Sequence, residues 1–202
     1  MSNGDFMPQV VVLGGSNGAG KTTASRAVLR DVYQIGTFVN ADFIAQGLNG
    51  FGPDTVALQA GRLMLLRLQE LADEQQDFAF ETTLSGKTYA PWLRTLREAG
   101  YRVALLYYWL ESPDLAIARV AARVRRGGHH VPDDTIRQRW SRSAENLFRL
   151  YLPLADDWSL FNNTHNGEPR LIATGHGDVS YDVHDSASWE LLTKAANHDR
   201  PS

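Results

Sequence analysis

Residues Gly15-Ser16-Asn17-Gly18-Ala19-Gly20-Lys21-Thr22 satisfy G-x-x-x-x-G-K-[ST] at every fixed position. These are the residue types that triphosphate chemistry needs. Gly14, Gly15, Gly18 and Gly20 let main-chain N–H groups turn inward toward phosphate oxygens. Lys21 brings a cation to the β- and γ-phosphates, and Thr22 brings a hydroxyl to Mg²⁺. Ser16, Asn17, Ala19 and Thr23 complete a loop predicted to wrap ATP or GTP. A helix beginning behind the loop adds the positive end of its dipole.

Three polar clusters are expected at strand ends on one edge of a sheet, where ligands bind in this kind of fold. The phosphate loop is the first, Asn40-Ala41-Asp42 the second and Glu81-Thr82-Thr83-Leu84-Ser85-Gly86 the third. Moving a phosphoryl group to a hydroxyl requires positioning, charge neutralisation and an acceptor for the hydroxyl proton. Asp42 suits that last role, and it equally suits the cap of a helix starting at Phe43. Asn40, Glu81 and Thr83 are placed on the substrate side, with Glu81 holding a metal-bound water or orienting the acceptor. Hydroxyls that cap the next turn are the plainer reading of Thr82 and Thr83. Arg119, Arg123 and Arg126 fall at i, i+4 and i+7, on one helical face. They read either as a lid bridging phosphate oxygens or as a solvated basic surface. Arg139 and Arg142, on the next helix, are lesser candidates. His129 and His130 lack the spaced partners of a metal site. No apolar run ends in the Asp of a motor ATPase, Leu110-Glu111 being the nearest.

The elements that must hold these residues alternate. Val10-Val11-Val12-Leu13 is a buried strand, residues 22–30 a helix, 37–40 a short strand, and 47–53 a Gly- and Asn-rich loop. Helices over 54–75, 90–99, 114–126 and 133–151 are expected around strands at 78–80 and 102–110, with later strands at 158–162 and 170–173. Residues 175–186 are polar without clear periodicity, and 187–197 read as a final helix. Strands alternating with helices behind a phosphate loop predict a three-layer α/β/α P-loop sandwich with a mostly parallel central sheet. We expect one domain over 1–202, a small helical lid over about 114–140 and a polar C-terminal extension over about 175–202.

Composition narrows the partners. The 202 residues are 43% hydrophobic and 21% charged, with a formal charge of −3. That balance is ordinary for a globular protein and offers no global attraction to nucleic acid or an anionic membrane. No cysteine is present, which excludes disulfides, thiolate metal sites and cysteine nucleophiles. The first nine residues lack a basic region followed by an apolar segment, and the longest apolar run, 103–110, is too short to span a bilayer. A cytoplasmic setting is expected.

Gly14-Gly15-Ser16-Asn17-Gly18-Ala19-Gly20-Lys21-Thr22-Thr23, Val39-Asn40-Ala41-Asp42-Phe43-Ile44-Ala45, Phe80-Glu81-Thr82-Thr83-Leu84-Ser85-Gly86 and the stretch from Arg123 through Val131-Pro132 to Asn146-Leu147 together resemble the zeta toxin family of P-loop kinases. The resemblance spans roughly residues 9–165, and the compact chromosomal branch is the most similar. It implies phosphorylation of a sugar hydroxyl of UDP-N-acetylglucosamine and an antitoxin partner. It matches Asp42 to the catalytic aspartate, Lys21 to the loop lysine and Glu81 with Thr83 to the substrate-side pair. Arg119 or Arg123 matches the first lid arginine. The second falls near His129-His130, where this chain has none, leaving Arg125 or Arg126 as substitutes. Two other functions fit a phosphate loop followed by an aspartate: a polynucleotide 5′-kinase, and a nucleotide-dependent binding module without turnover.

Overall fold

The computed structural model describes residues 7–48, 56–165, 167–177 and 180–197. The loop expected over 47–53 therefore lies largely outside the described residues. Strand β1 (Gln9–Gly14) occupies the middle of the sheet, hydrogen-bonded in parallel to β3 (Phe78–Thr82) on one side and β4 (Arg102–Trp109) on the other. Strand β2 (Phe38–Val39) extends the β3 side and β5 (Asp157–Asn162) the β4 side, both parallel. Strands β6 (Arg170–His176) and β7 (Ser180–Val183) complete that flank antiparallel, giving a seven-stranded order β2-β3-β1-β4-β5-β6-β7.

Central strands carry no polar side because helices cover both faces. Val10 and Val12, with Val103, Leu105, Tyr107 and Trp109, face one core packed by α3 (Ala57–Asp73), α4 (Tyr89–Glu98), α6 (Asp133–Asn146) and α7 (Ser186–Asn197). Val11 and Leu13, with Ala104, Leu106 and Tyr108, face the other core, packed by α1 (Lys21–Asp31) and α5 (Pro113–Val124). Helix α2 (Ala41–Leu48) leans on α3. Ser112 caps α5 by accepting from the Leu115 amide at 3.2 Å, with Pro113 in its first turn, the arrangement that Ser-Pro predicts.

Two stretches differ from expectation. The polar segment over 175–186, which shows no clear periodicity in sequence, carries strand structure ahead of the expected final helix. It finishes β6, forms β7 and continues into α7 against α6. Its hydrophobic signal is weak because β7 lies at the sheet edge, where Tyr181 and Val183 keep much of their surface exposed. The helix expected over 133–151 is regular only to Asn146, then widens into a π turn (Leu147–Tyr151) and a 3-10 turn (Leu152–Leu154).

Candidate nucleotide and acceptor site

The phosphate loop joins β1 to α1, with Gly15, Gly18 and Gly20 at positive φ, where only glycine is unstrained. The loop is also hemmed in. A Cβ on Gly18 would approach the Ala116 carbonyl oxygen to 2.7 Å, and one on Gly20 would approach Asn163 Nδ2 to 2.5 Å. Lys21, only 5% exposed, folds over the loop and donates from Nζ to the carbonyls of Gly15 (2.7 Å) and Ser16 (2.9 Å). Burial lowers its pKa below the ordinary lysine value, partly offset by Glu81, whose Oε1 lies 3.5 Å away. The fully buried Ala19 offers its carbonyl to Asn163 Nδ2 at 2.7 Å, so the segment just after β5 holds the loop from the far side. Thr22 donates its hydroxyl to Glu81 Oε2, and Thr23 faces the same cavity.

Asn40 resolves the two roles open to Asp42. Its Oδ1 accepts the amides of Asp42 (2.7 Å) and Phe43 (3.4 Å), so Asn40 supplies the capping oxygen of α2. Its Nδ2 meanwhile donates to Glu81 Oε2 at 3.0 Å, tying the ends of β2 and β3 together. The Asp42 carboxylate is left pointing into the cleft, with Oδ2 3.3 Å from Arg123 Nη1. Arg123 reaches across from α5 and donates its Nη2 to the His129 carbonyl at 3.2 Å. Thr83 shares a 2.8 Å hydrogen bond with Ser85 and lines the same cleft as Asp42 and Arg123.

The remaining arginines separate. Arg119 is committed to main chain, donating to the carbonyls of Asn163 (2.8 Å) and Thr164 (3.0 Å). Arg126 lies along both cavities described below. Arg139, a lesser candidate from sequence, reaches the phosphate loop and donates to Asn17 Oδ1 at 3.1 Å. Its neighbour Arg137 instead pairs with Asp114 at the surface. Spacing cannot separate the two, because only the crossing of α6 over the loop tip decides which one faces inward. Asn163 is likewise a residue whose contact with Ala19 no local pattern announces.

Two cavities adjoin. One, of about 850 Å³, runs from Gly18 and Thr23 to Asn163 and Pro169. The other, of about 470 Å³, lies between α2, the end of β3 and the residues around His129. Lys21, Asn40, Asp42, Glu81, Arg123 and Arg126 line both. Among the described residues no group of three or more His or acidic side chains is arranged to hold a metal, and no helix is long and apolar enough to cross a membrane.

Fold and loop define a P-loop nucleotide-binding protein. The chain belongs to the family described as "AAA domain", whose match covers residues 10–146. A Haemophilus influenzae relative, carrying the name "Uncharacterized protein", is 32% identical over 126 residues, covering 62% of this chain and 88% of the relative. Among solved structures, the AvrRxo1-ORF1:-ORF2 complex with ATP superposes with a TM-score of 0.75 at 17% identity, covering 97% of this chain. This chain spans 66% of that one's length. The PezAT chromosomal toxin–antitoxin system of Streptococcus pneumoniae superposes with a TM-score of 0.62 at 16% identity, covering 100% of this chain and 82% of that one. At these identities the two structures share the fold.

Proposed function

We propose that the protein is a kinase that moves the γ-phosphate of ATP or GTP to a hydroxyl of a small-molecule acceptor. The observation that carries this reading is the shared wall of the two cavities, which includes Lys21, Asp42, Glu81 and Arg123. A transfer between two substrates needs such a seam, whereas a nucleotide-sensing module has no use for the second cavity.

In this reading the acceptor hydroxyl hydrogen-bonds to Asp42. Its oxygen forms the new bond to the γ-phosphorus as the bond to the β–γ bridging oxygen breaks, and its proton passes to Asp42. Lys21, Arg123 and Arg139 stabilise the charge on the transferred oxygens. Arg119 acts on the nucleotide side by fixing the loop that borders the larger cavity. Thr22 and Glu81 fit Mg²⁺: the hydroxyl and the adjacent carboxylate would hold it, directly or through water, a sparse donor set that suits an ion kept mostly by phosphates and water. Bound there, Mg²⁺ supplies charge neutralisation.

Arg126 and Arg139 give the acceptor cavity positive charge that suits an anionic acceptor. Together with the zeta toxin resemblance, this supports a UDP-amino sugar, UDP-N-acetylglucosamine first. The same resemblance, and likeness in fold to the AvrRxo1-ORF1:-ORF2 and PezAT proteins, supports an inhibitory protein partner. Phosphorus NMR of protein, Mg·ATP and UDP-N-acetylglucosamine or a metabolite extract tests the kinase. A new phosphomonoester that disappears in Asp42→Asn is expected. Nucleotide binding with no acceptor phosphorylated under any of these conditions would overturn it. Growth arrest on expression, relieved by a co-expressed neighbouring protein, checks the partner.

A further inference from the structure

The loop from β3 to α4 carries the acceptor-side groups, and it contains an anomaly. Leu84 has φ 55° and is fully buried. A branched apolar residue in the left-handed region is strained and persists only where its surroundings hold it. Its side chain fills the space beside Gly14 at the root of the phosphate loop, where a Cβ on Gly14 would approach Leu84 Cδ1 to 2.6 Å. Locally, its amide donates to Thr82 Oγ1 at 3.2 Å.

The rest of the restraint comes from one distant segment. Asn146, 3% exposed, donates from Nδ2 to the Leu84 carbonyl at 2.8 Å, and Tyr151 donates its hydroxyl to the Gly86 carbonyl at 2.8 Å. These residues are five apart. On an α-helix such a pair points in different directions, since neighbours on one face are three or four apart. Here the π turn Leu147–Tyr151 intervenes, and its wider i→i+5 turn swings residues five apart toward the same side. The widened turn thus lets both donors reach one loop. It also answers why the helix leaves regular geometry directly after Asn146.

We propose that Asn146 and Tyr151 are positioning residues for phosphoryl transfer, acting through the left-handed turn at Leu84 to hold Thr83 and Glu81 against the phosphate loop. This role rests on the kinase reading. Neither residue reaches the cavities, so each acts through the loop and touches no substrate.

Tyr151→Phe, Asn146→Ser and the double variant test it by two measurements. Amide hydrogen exchange reads the loop directly, and residues 84–86 lose protection in both single variants if the latch exists. Steady-state kinetics read its purpose. The double variant loses roughly 10–100-fold in kcat/KM for the acceptor, while affinity for a fluorescent ATP analogue and the melting of β1 and β4 stay near wild type. Unchanged exchange at 84–86 overturns the latch. Changed exchange with unchanged acceptor kinetics, or nucleotide affinity falling in parallel with acceptor kinetics, overturns the positioning role. Wild-type protein that phosphorylates no acceptor overturns the kinase reading and this role with it, while the exchange data still decide the latch. Tyr151→Phe removes a single oxygen, so folding of at least one variant is secured.

Discussion

Lys21 and Asp42 meet at the seam of the cleft, yet their side chains are 5% and 47% exposed. The lysine belongs to a half built from main chain. Loop carbonyls receive its protons, glycines at positive φ shape the turn, and Ala116 and Asn163 close in from neighbouring elements. The aspartate belongs to a half built from side chains, where Asp42 with Arg123 and Asn40 with Glu81 pair residues far apart in sequence. Main chain holds its shape before a ligand arrives. Charged pairs half open to water are worth little individually and exchange partners readily. The nucleotide side therefore rests on main chain, and the facing side on side-chain contacts, among them the half-exposed Asp42–Arg123 ion pair.

The sharpest way to break that contrast is Asp42→Asn. Transfer falls roughly 10²–10⁴-fold while nucleotide affinity, measured by fluorescence titration, is retained; equal losses in both would mean that the halves are not separable. Next comes Arg139→Ala, for which kcat falls about 10²-fold with nucleotide Kd little changed. Arg137→Ala, removing only the surface pair with Asp114, serves as the control. Gly20→Ala should act in the opposite sense. Its φ of 78° costs a residue with a Cβ about 1–2 kcal/mol, and the contact with Asn163 adds to that. Nucleotide affinity then drops by about tenfold or more, whereas turnover at saturating nucleotide changes less. The smallest effect concerns protons. Burial holds the Lys21 pKa down in the empty loop, and an arriving phosphate anion raises it. Alkaline titrations in buffers of different ionisation heat should therefore show net proton uptake on nucleotide binding; net release would remove Lys21 from the phosphate site.

The nucleotide half was legible in the sequence. Gly15 to Thr22 is contiguous, its chemistry depends on backbone freedom, and Val10 to Leu13 signal the strand behind it. The parallel core followed from the same alternation. The facing half was readable in its strand-end members, Asn40, Asp42, Glu81 and Thr83, and in Arg123 on the arginine-bearing helix. Asn40 was placed on the substrate side, and the sequence did not show that its amide oxygen caps α2 in place of Asp42. Arg139 was one arginine among several on α6. No local periodicity reports which turn of a helix crosses a distant loop. Strand β7 was faint for another reason, since a strand at the sheet edge with an exposed face carries little apolar alternation.

The Asp42–Arg123 contact bears on how the two cavities fill. A carboxylate held by a guanidinium is a poor receiver for a second guest, so an acceptor arriving first meets an occupied base. A triphosphate arriving first offers Arg123 a stronger anion and releases Asp42. Each substrate then favours the other by the same free energy, because coupling of this kind is reciprocal. In the proposed kinase, one ion pair at 3.3 Å thus links the two cavities, so that filling either eases entry to the other.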